Sequence, residues 1–210
     1  MMPTADTAVI LCGGESRRAG LDKQLLPCEG TTLPRAIARR LEALFREIII
    51  VTHTPHIYAD ASFTVVEDIV KGAGPLGGIF TGLRHCTSHY SYVIAGDMPE
   101  TNLAYIEWMR RTMLRESLES GDVDAVAARQ GVDHLEPFNS FFSVRCAPVI
   151  EASLARGEGS IGRFLKRCDH ALLVQEEVAR FFSPDWSMFR SVNTRADVDE
   201  FLRRGYAFAP

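Results

Sequence analysis

Four short, unbroken apolar runs set the limits on what this chain can fold into. They are Ala8–Cys12 (AVILC), Glu47–Thr52 (EIIIVT), Tyr90–Ala95 (YSYVIA) and Ala125–Ala128 (AVAA). A strand with one wet face alternates apolar and polar residues, whereas a run with no polar alternation belongs to a strand buried on both faces. Thr64–Val66 reads as a further short strand. Between these runs lie segments with helical spacing. Leu33–Phe45 carries Leu33, Ile37, Leu41, Leu44 and Phe45 on one side, Leu76–Cys86 follows a Gly/Pro-rich loop, and Leu103–Leu118 is long and periodic. Strands that alternate with helices in this way predict an α/β fold, a mostly parallel sheet with helices on both faces. After Val132 the pattern loosens. Phe138–Val144 reads as a strand, Ile150–Leu154 and Ile161–Arg167 as helices, and Ser191–Asn193 as a last short strand before a helix starting near Thr194. A length of 210 residues suits a single domain, 1–210, with an ample core.

The charge pattern limits the partners. The net charge is -4 and like charges do not cluster, so nothing points to nucleic acid. A phosphorylated substrate must then be held by a local group of donors. The apolar run at Ala8–Cys12 is far too short for a signal peptide or a membrane span, so no membrane association is expected. The five cysteines, Cys12, Cys28, Cys86, Cys146 and Cys168, are odd in number and form no CxxC. They read as reduced thiols of a cytoplasmic protein.

In open parallel sheets ligands bind beyond the carboxyl ends of the strands, and the polar motifs of this chain lie there. Leu11-Cys12-Gly13-Gly14-Glu15-Ser16-Arg17-Arg18-Ala19-Gly20-Leu21-Asp22-Lys23 follows the first strand. Paired glycines allow a tight turn that leaves N–H groups open to an anion or a base. Arg18 and Lys23 then supply a forked and a mobile cation, a combination that suits a triphosphate. There is no GxxxxGK[ST] and no GxGxxG, which removes a Walker loop and a dinucleotide fingerprint. Further along stand Val65-Val66-Glu67-Asp68, the flexible stretch Gly72-Ala73-Gly74-Pro75-Leu76-Gly77-Gly78-Ile79, and Gly96-Asp97-Met98-Pro99. Asp68 is either a ligand contact or a solvated strand-end residue, and Asp97 either a metal carboxylate or a turn cap. Gly157-Glu158-Gly159-Ser160 precedes a helix start and offers N–H groups to another phosphate. His53, His56, His85 and His89 pair with no motif and read as surface or satisfied interior residues.

The first loop resembles the LxGGxSxRMGxDK signature of the molybdenum cofactor guanylyltransferases, departing at Ala19. The Gly74-Pro75-Leu76 stretch is similar to the GPLxGI loop of that family, Gly96–Pro99 to its metal loop, and Ser191-Val192-Asn193-Thr194 with Asp197 to its late N-T-P-x-D/E element, with Arg195 in place of proline. The resemblance runs from about Val9 to about Phe201. It implies a Rossmann-like nucleotidyltransferase fold, with a nucleotide-binding half at about 8–132 and an acceptor-binding half at about 133–210. It further implies that Leu11, Cys12, Gly13, Gly14, Lys23, Thr52, Asp68 and Asp97 bind GTP, Asp68 by accepting from the guanine N–H donors. Asp97 would hold Mg2+, and Asn193 would either add a second metal contact or, with Thr194, cap the last helix. Glu136-Pro137 resembles an element on the pterin side.

By the same resemblance, the phosphate of the molybdopterin cofactor attacks the α-phosphorus of GTP and pyrophosphate leaves. The nucleophile is already anionic, so positioning and charge neutralisation by Arg18, Lys23 and Asp97 carry the reaction. Molybdoenzymes or their chaperones would receive the product. Cytidylyltransferases acting on the same cofactor tend to carry LAAG and DQP, so LCGG, GPLGG and DMP favour guanine. Transfer to cytosine nucleotides or to another phosphorylated acceptor is the alternative.

Overall fold

The computed structural model describes residues 2–13, 22–59 and 62–204. The chain begins with β1 (Thr7–Leu11), a 3-10 turn at Lys23–Leu25 and a small hairpin, β2 (Pro27–Cys28) and β3 (Thr31–Thr32). α1 (Leu33–Leu41), β4 (Glu47–Val51), β5 (Thr64–Val66), α2 (Gly74–His85), β6 (Tyr90–Ala95) and α3 (Leu103–Glu119) follow. The remainder forms β7 (Ala125–Gln130), β8 (His134–Leu135), β9 (Ser140–Ser143), α4 (Ala147–Ala155), α5 (Ile161–Leu165), β10 (Ala171–Val174), α6 (Glu176–Phe182) and α7 (Arg195–Arg204).

The main sheet runs β10-β7-β9-β6-β1-β4-β5, with β8 paired to β7. β1 is parallel to both β4 and β6, Val9 lying opposite Ile49 on one side and Val93 on the other. Only β9 runs against its neighbours on that path, pairing antiparallel with β6 and β7. The sheet is thus mostly parallel, as the continuous apolar runs predict. Residues after 133 supply β9, in the middle of the sheet, and β10, at its edge.

The period of two along each strand divides the interior into two layers. Ala8, Ile10, Ile48, Ile50, Tyr92 and Ile94 face one core with α1, α3 and α7, where Leu33, Ile37, Leu41, Tyr105, Ile106, Met109 and Phe201 pack. Val9, Leu11, Ile49, Val51 and Val93 face the other with α2, α4 and α5, through Leu76, Ile79, Phe80, Ile150 and Phe164. Aromatic rings fill the wider core. Tyr92 stacks on Phe45 at 5.5 Å and meets Phe141 at 5.4 Å. The Tyr92 hydroxyl donates to Asn139 Oδ1 at 2.6 Å, and Asn139, fully buried with φ 58°, donates in turn to the Met188 carbonyl. That network satisfies a buried phenol which burial, with Tyr105 nearby, pushes well above its ordinary pKa.

One expectation changes. Ser191–Asn193 is no strand: Val192 N–H donates once, to the Asp97 carbonyl at 2.8 Å, and no ladder forms. One bond suffices because that segment is tied to a loop rather than to a sheet edge. β10 and α6 carry no signal as strong as the central elements. β10 is short and only its last residue, Val174, is buried, so its apolar content is that of an edge. It is tied to the β7 side by His170 N–H, which donates to Asp124 Oδ2 at 3.0 Å.

From β1 the chain passes outward to β4 and β5, then returns to β6 on the opposite flank. The carboxyl ends of β1 and β6 therefore mark a topological switch point, where adjacent loops diverge and leave a crevice.

Candidate functional site

A cavity of about 960 Å³ opens at that switch point. Its floor is the carboxyl end of four strands: Leu11, Cys12 and Gly13 after β1, His53 after β4, Asp68 after β5, and Gly96 and Asp97 after β6. The residues from Val70 to Pro75 and the start of α2 form one wall, and Lys23, Gln24 and Asn193 another.

Glycines set how closely these loops meet. A Cβ on Gly96 would lie 2.6 Å from Cys12 Sγ, and one on Gly13 would lie 2.8 Å from His53 Cε1. Gly96 has no room for a side chain, whereas one on Gly13 would have to push aside the half-exposed His53 ring. Gly96 N–H donates to the Leu11 carbonyl at 2.9 Å and Cys12 N–H to the Val51 carbonyl at 2.8 Å, extending the β1 ladder by a residue on each side. Cys12 is buried, and burial pushes its thiol up to about 12, with neighbouring Asp97 and Asp22 adding to the rise. A thiol held neutral is a packing group and no nucleophile.

At one end of the cavity Lys23 Nζ donates to Asp97 Oδ2 at 2.8 Å and to Asn193 Oδ1 at 2.7 Å. Each of the three is held from behind. Lys23 opens a 3-10 turn in which the Asp22 side chain accepts from Gln24 N–H at 3.0 Å. Its neighbour Gln24 is the centre of a polar knot, accepting from Thr52 Oγ1 at 2.7 Å and Tyr58 Oη at 3.2 Å while donating to Thr54 Oγ1 at 3.1 Å. Asp97 is fixed through the Gly96 turn and through its carbonyl, which accepts from Val192 N–H. Asn193 N–H and Thr194 N–H both donate to Asp197 Oδ2, at 2.9 and 2.7 Å, while Thr194 Oγ1 accepts from Asp197 N–H at 3.2 Å. This reciprocal capping box makes Thr194 the cap of α7 and leaves the Asn193 side chain turned toward Lys23. The donated N–H groups of Thr194 and Asn193 hold the Asp197 carboxyl below its ordinary range.

Two oxygens of different chemistry, a carboxylate and an amide carbonyl, thus converge on one cationic point. An oxygen-only donor pair suits a hard divalent cation whose remaining positions come from phosphates and water. Among the described residues no three His, Cys, Asp or Glu side chains form a metal cage.

At the other end Asp68 Oδ2 lies 3.1 Å from His53 Nδ1. The carboxylate is largely buried while the imidazole is half exposed. Gly78, in the first turns of α2, faces the other oxygen, its notional Cβ 3.7 Å from Oδ1.

Of the residues singled out in the sequence, Leu11, Cys12, Gly13, Lys23, Asp68, Asp97 and Asn193 all line this cavity. Gly14 and Arg18 lie outside the described residues. Thr52 does not line it: the residue is fully buried and its hydroxyl is given to Gln24. The side chain after β4 that does face the cavity is His53, which the sequence suggested as a surface or interior residue. Alternation along an extended segment explains the exchange, since neighbours point to opposite sides. Gln24 was also missed, although it adjoins Lys23. Glu136 accepts from Trp186 Nε1 at 3.1 Å, and its neighbour Phe138 reaches the cavity. Ser160 caps α5, accepting from Arg163 N–H at 3.3 Å, and Gly159 packs against the Ala73 carbonyl.

A switch-point cavity with an oxygen pair, a fixed lysine and a carboxylate at its far end defines a nucleotidyltransferase. Residues 8–172 match the model of the MobA-like NTP transferase domain, and the chain belongs to that family. It is 45% identical to the molybdenum cofactor guanylyltransferase of Syntrophotalea carbinolica, over 95% of this chain and 91% of that protein. It is 39% identical to the probable molybdenum cofactor guanylyltransferase of Peptoclostridium acidaminophilum, over 93% of this chain and 87% of that one. The fold is similar to the crystal structure of molybdopterin-guanine dinucleotide biosynthesis protein A from Archaeoglobus fulgidus, with a TM-score of 0.76, 22% identity and coverage of 94% and 99%.

Proposed function

We propose that this protein transfers GMP from GTP to the terminal phosphate of the molybdopterin cofactor, forming a guanine dinucleotide cofactor and releasing pyrophosphate. The observation that carries the proposal is one cavity holding both Asp68 and the Lys23–Asp97–Asn193 cluster. The names of the relatives at 45% and 39% identity support the choice of substrates. Asp68 accepts from the N–H donors of guanine at the end of the cavity where Gly13 and Gly78 also stand.

Mg2+ is the metal of this proposal, with Asp97 and Asn193 as the residues that would hold it. Bound there, it would neutralise charge on the reacting phosphates. Lys23 carries an ammonium whose charge suits that gathering on the leaving pyrophosphate. Arg18 would share that work, on the strength of the loop motif alone. The acceptor phosphate needs no base, so the work of these residues is alignment and charge neutralisation. The acceptor half, at about 133–210, would bind the pterin, and Phe138 and Ser191 bring that half to the cavity.

No helix among the described residues is long and apolar enough to cross a membrane. A cytoplasmic enzyme that passes its product to molybdoenzymes or their chaperones, without nucleic acid or membrane partners, completes the proposal. The test is to incubate the protein with Mg2+, the pterin cofactor and either GTP or CTP, and to follow pyrophosphate and the nucleotide joined to the product. Pterin-dependent release with GTP only is the expected result. Release with CTP alone would overturn the base assignment, and no release with either would overturn the acceptor.

A further inference from the structure

The base-recognition end of the cavity contains one more polar group than the transfer reaction assigns. His53 Nδ1 lies 3.1 Å from Asp68 Oδ2, and an ionised carboxylate can only accept. The proton therefore sits on Nδ1, which donates. The ring is held against Gly13, where a Cβ would approach Cε1 to 2.8 Å and Asp68 Oδ2 to 3.3 Å. The His53–Asp68 pair fills the space above Gly13. Asp68 stands two residues beyond β5 with its side chain only 14% exposed.

We infer that His53 is a positioning and specificity-determining residue, whose Nδ1–H holds one Asp68 oxygen and so orients the carboxylate toward the paired N–H donors of a purine carrying both a ring N–H and an exocyclic amine. The inference rests on the guanylyl reading above. An aspartate rotates freely about its last torsion unless something holds it, because that torsion is broad. A carboxylate rotated away from the plane of the base meets one donor instead of two. A fixed one meets both, and rejects bases that present an acceptor there, leaving a buried polar group unpaired. His53 acts through Asp68, so its loss weakens nucleotide binding and discrimination while leaving the chemistry at Asp97 untouched.

The experiment compares wild type with His53→Leu and His53→Asn. Asparagine carries a donor nitrogen close to where Nδ1 stands; leucine fills the space without one. Binding of GTP, ITP (which lacks the exocyclic amine) and CTP is read by calorimetry, and KM and kcat for GTP by pyrophosphate release. For His53→Leu the GTP dissociation constant and KM should rise roughly tenfold, the size expected when a hydrogen bond to a charged group is lost. The preference for GTP over ITP should shrink while kcat holds, and His53→Asn should restore most of both. Wild-type affinity and preference in His53→Leu would overturn the inference, as would a His53→Asn variant no better than His53→Leu. A wild-type protein with no preference for GTP over CTP would instead overturn the guanine reading, and this inference with it. The half-exposed ring makes neither variant a threat to folding.

Discussion

Lys23 Nζ lies 2.8 Å from Asp97 Oδ2 and 2.7 Å from Asn193 Oδ1, so the ammonium occupies the point on which both oxygens converge. On the proposed function a divalent cation would compete with Lys23 for the same two oxygens. Replacing Lys23 by methionine keeps the length of the side chain and removes the charge. Mn2+ binding without nucleotide, followed by electron paramagnetic resonance, is expected to tighten in Lys23→Met. Turnover is expected to fall by about a hundredfold, the usual loss when one charge-stabilising group is removed. Metal affinity unchanged or weaker in the variant would show that the ammonium does not compete there.

Asp97→Ala separates function from stability. The Lys23–Asp97 pair is partly buried, at 18% and 21% side-chain exposure, so breaking it costs less than breaking a fully buried pair. About 1–2 kcal/mol is expected, a Tm shift of about 2–8 °C for a chain of this size. Turnover should drop by two orders of magnitude or more, about 3 kcal/mol of barrier. Scanning calorimetry and a pyrophosphate assay check the two numbers. An Asp97→Ala protein that turns over normally sinks the metal-ligand role.

The capping box at α7 makes a prediction about pH. The N–H groups of Thr194 and Asn193 hold the Asp197 carboxyl below its ordinary range. A carboxyl lowered in the folded state adds stability above its unfolded pKa and loses it as pH falls through the folded value. Asp197→Asn should therefore cost about 1 kcal/mol at neutral pH, a typical loss of a cap, with the gap closing below the ordinary carboxylate range. Because Asp197 also fixes the Asn193 backbone, the KM for metal should rise in the same variant. Thermal melts of both proteins between neutral and strongly acid pH give the answer, and a gap that stays constant would exclude the charge-dependent cap.

The central sheet and the order of site loops were legible in the sequence because burial on both faces leaves an unmistakable apolar run. Val9, Ile49 and Val93 lie side by side in the sheet, and their runs could be matched without knowing the order of the strands. What stayed hidden depends on direction rather than composition. Thr52 and His53 are neighbours, and no periodicity of a loop says which one faces the cavity. The antiparallel entry of β9 is likewise unreadable, since SFFS buried on both faces looks the same in either direction. Asn193 was ambiguous between ligand and cap for a related reason: both roles use the same side chain at the same helix start. The structure divides them, with Thr194 capping and Asn193 turned to Lys23.

Gly96 joins fold and site, and its replacement should damage both. A Cβ there would stand 2.6 Å from Cys12 Sγ, 3.3 Å from the Leu11 carbonyl and 3.4 Å from Pro34 Cγ. None of these is the loose end of a flexible side chain, so the β6 turn must move outward. Overpacking of this kind costs about 1–3 kcal/mol, and the Tm of Gly96→Ala should fall by about 2–12 °C. The movement is passed to Asp97, the next residue, so kcat should fall as well, even though Gly96 has no chemistry of its own. Cys12→Ala removes the sulfur, the nearest obstacle, and leaves the carbonyl. The double variant Cys12→Ala/Gly96→Ala should accordingly recover stability relative to the sum of the two single losses, by at least about 0.5 kcal/mol, because residues in contact are not additive. Melts of the four proteins complete the cycle. Strict additivity would mean that the sulfur is not what Gly96 avoids, and that the Leu11 carbonyl and Pro34 set the fit at that turn.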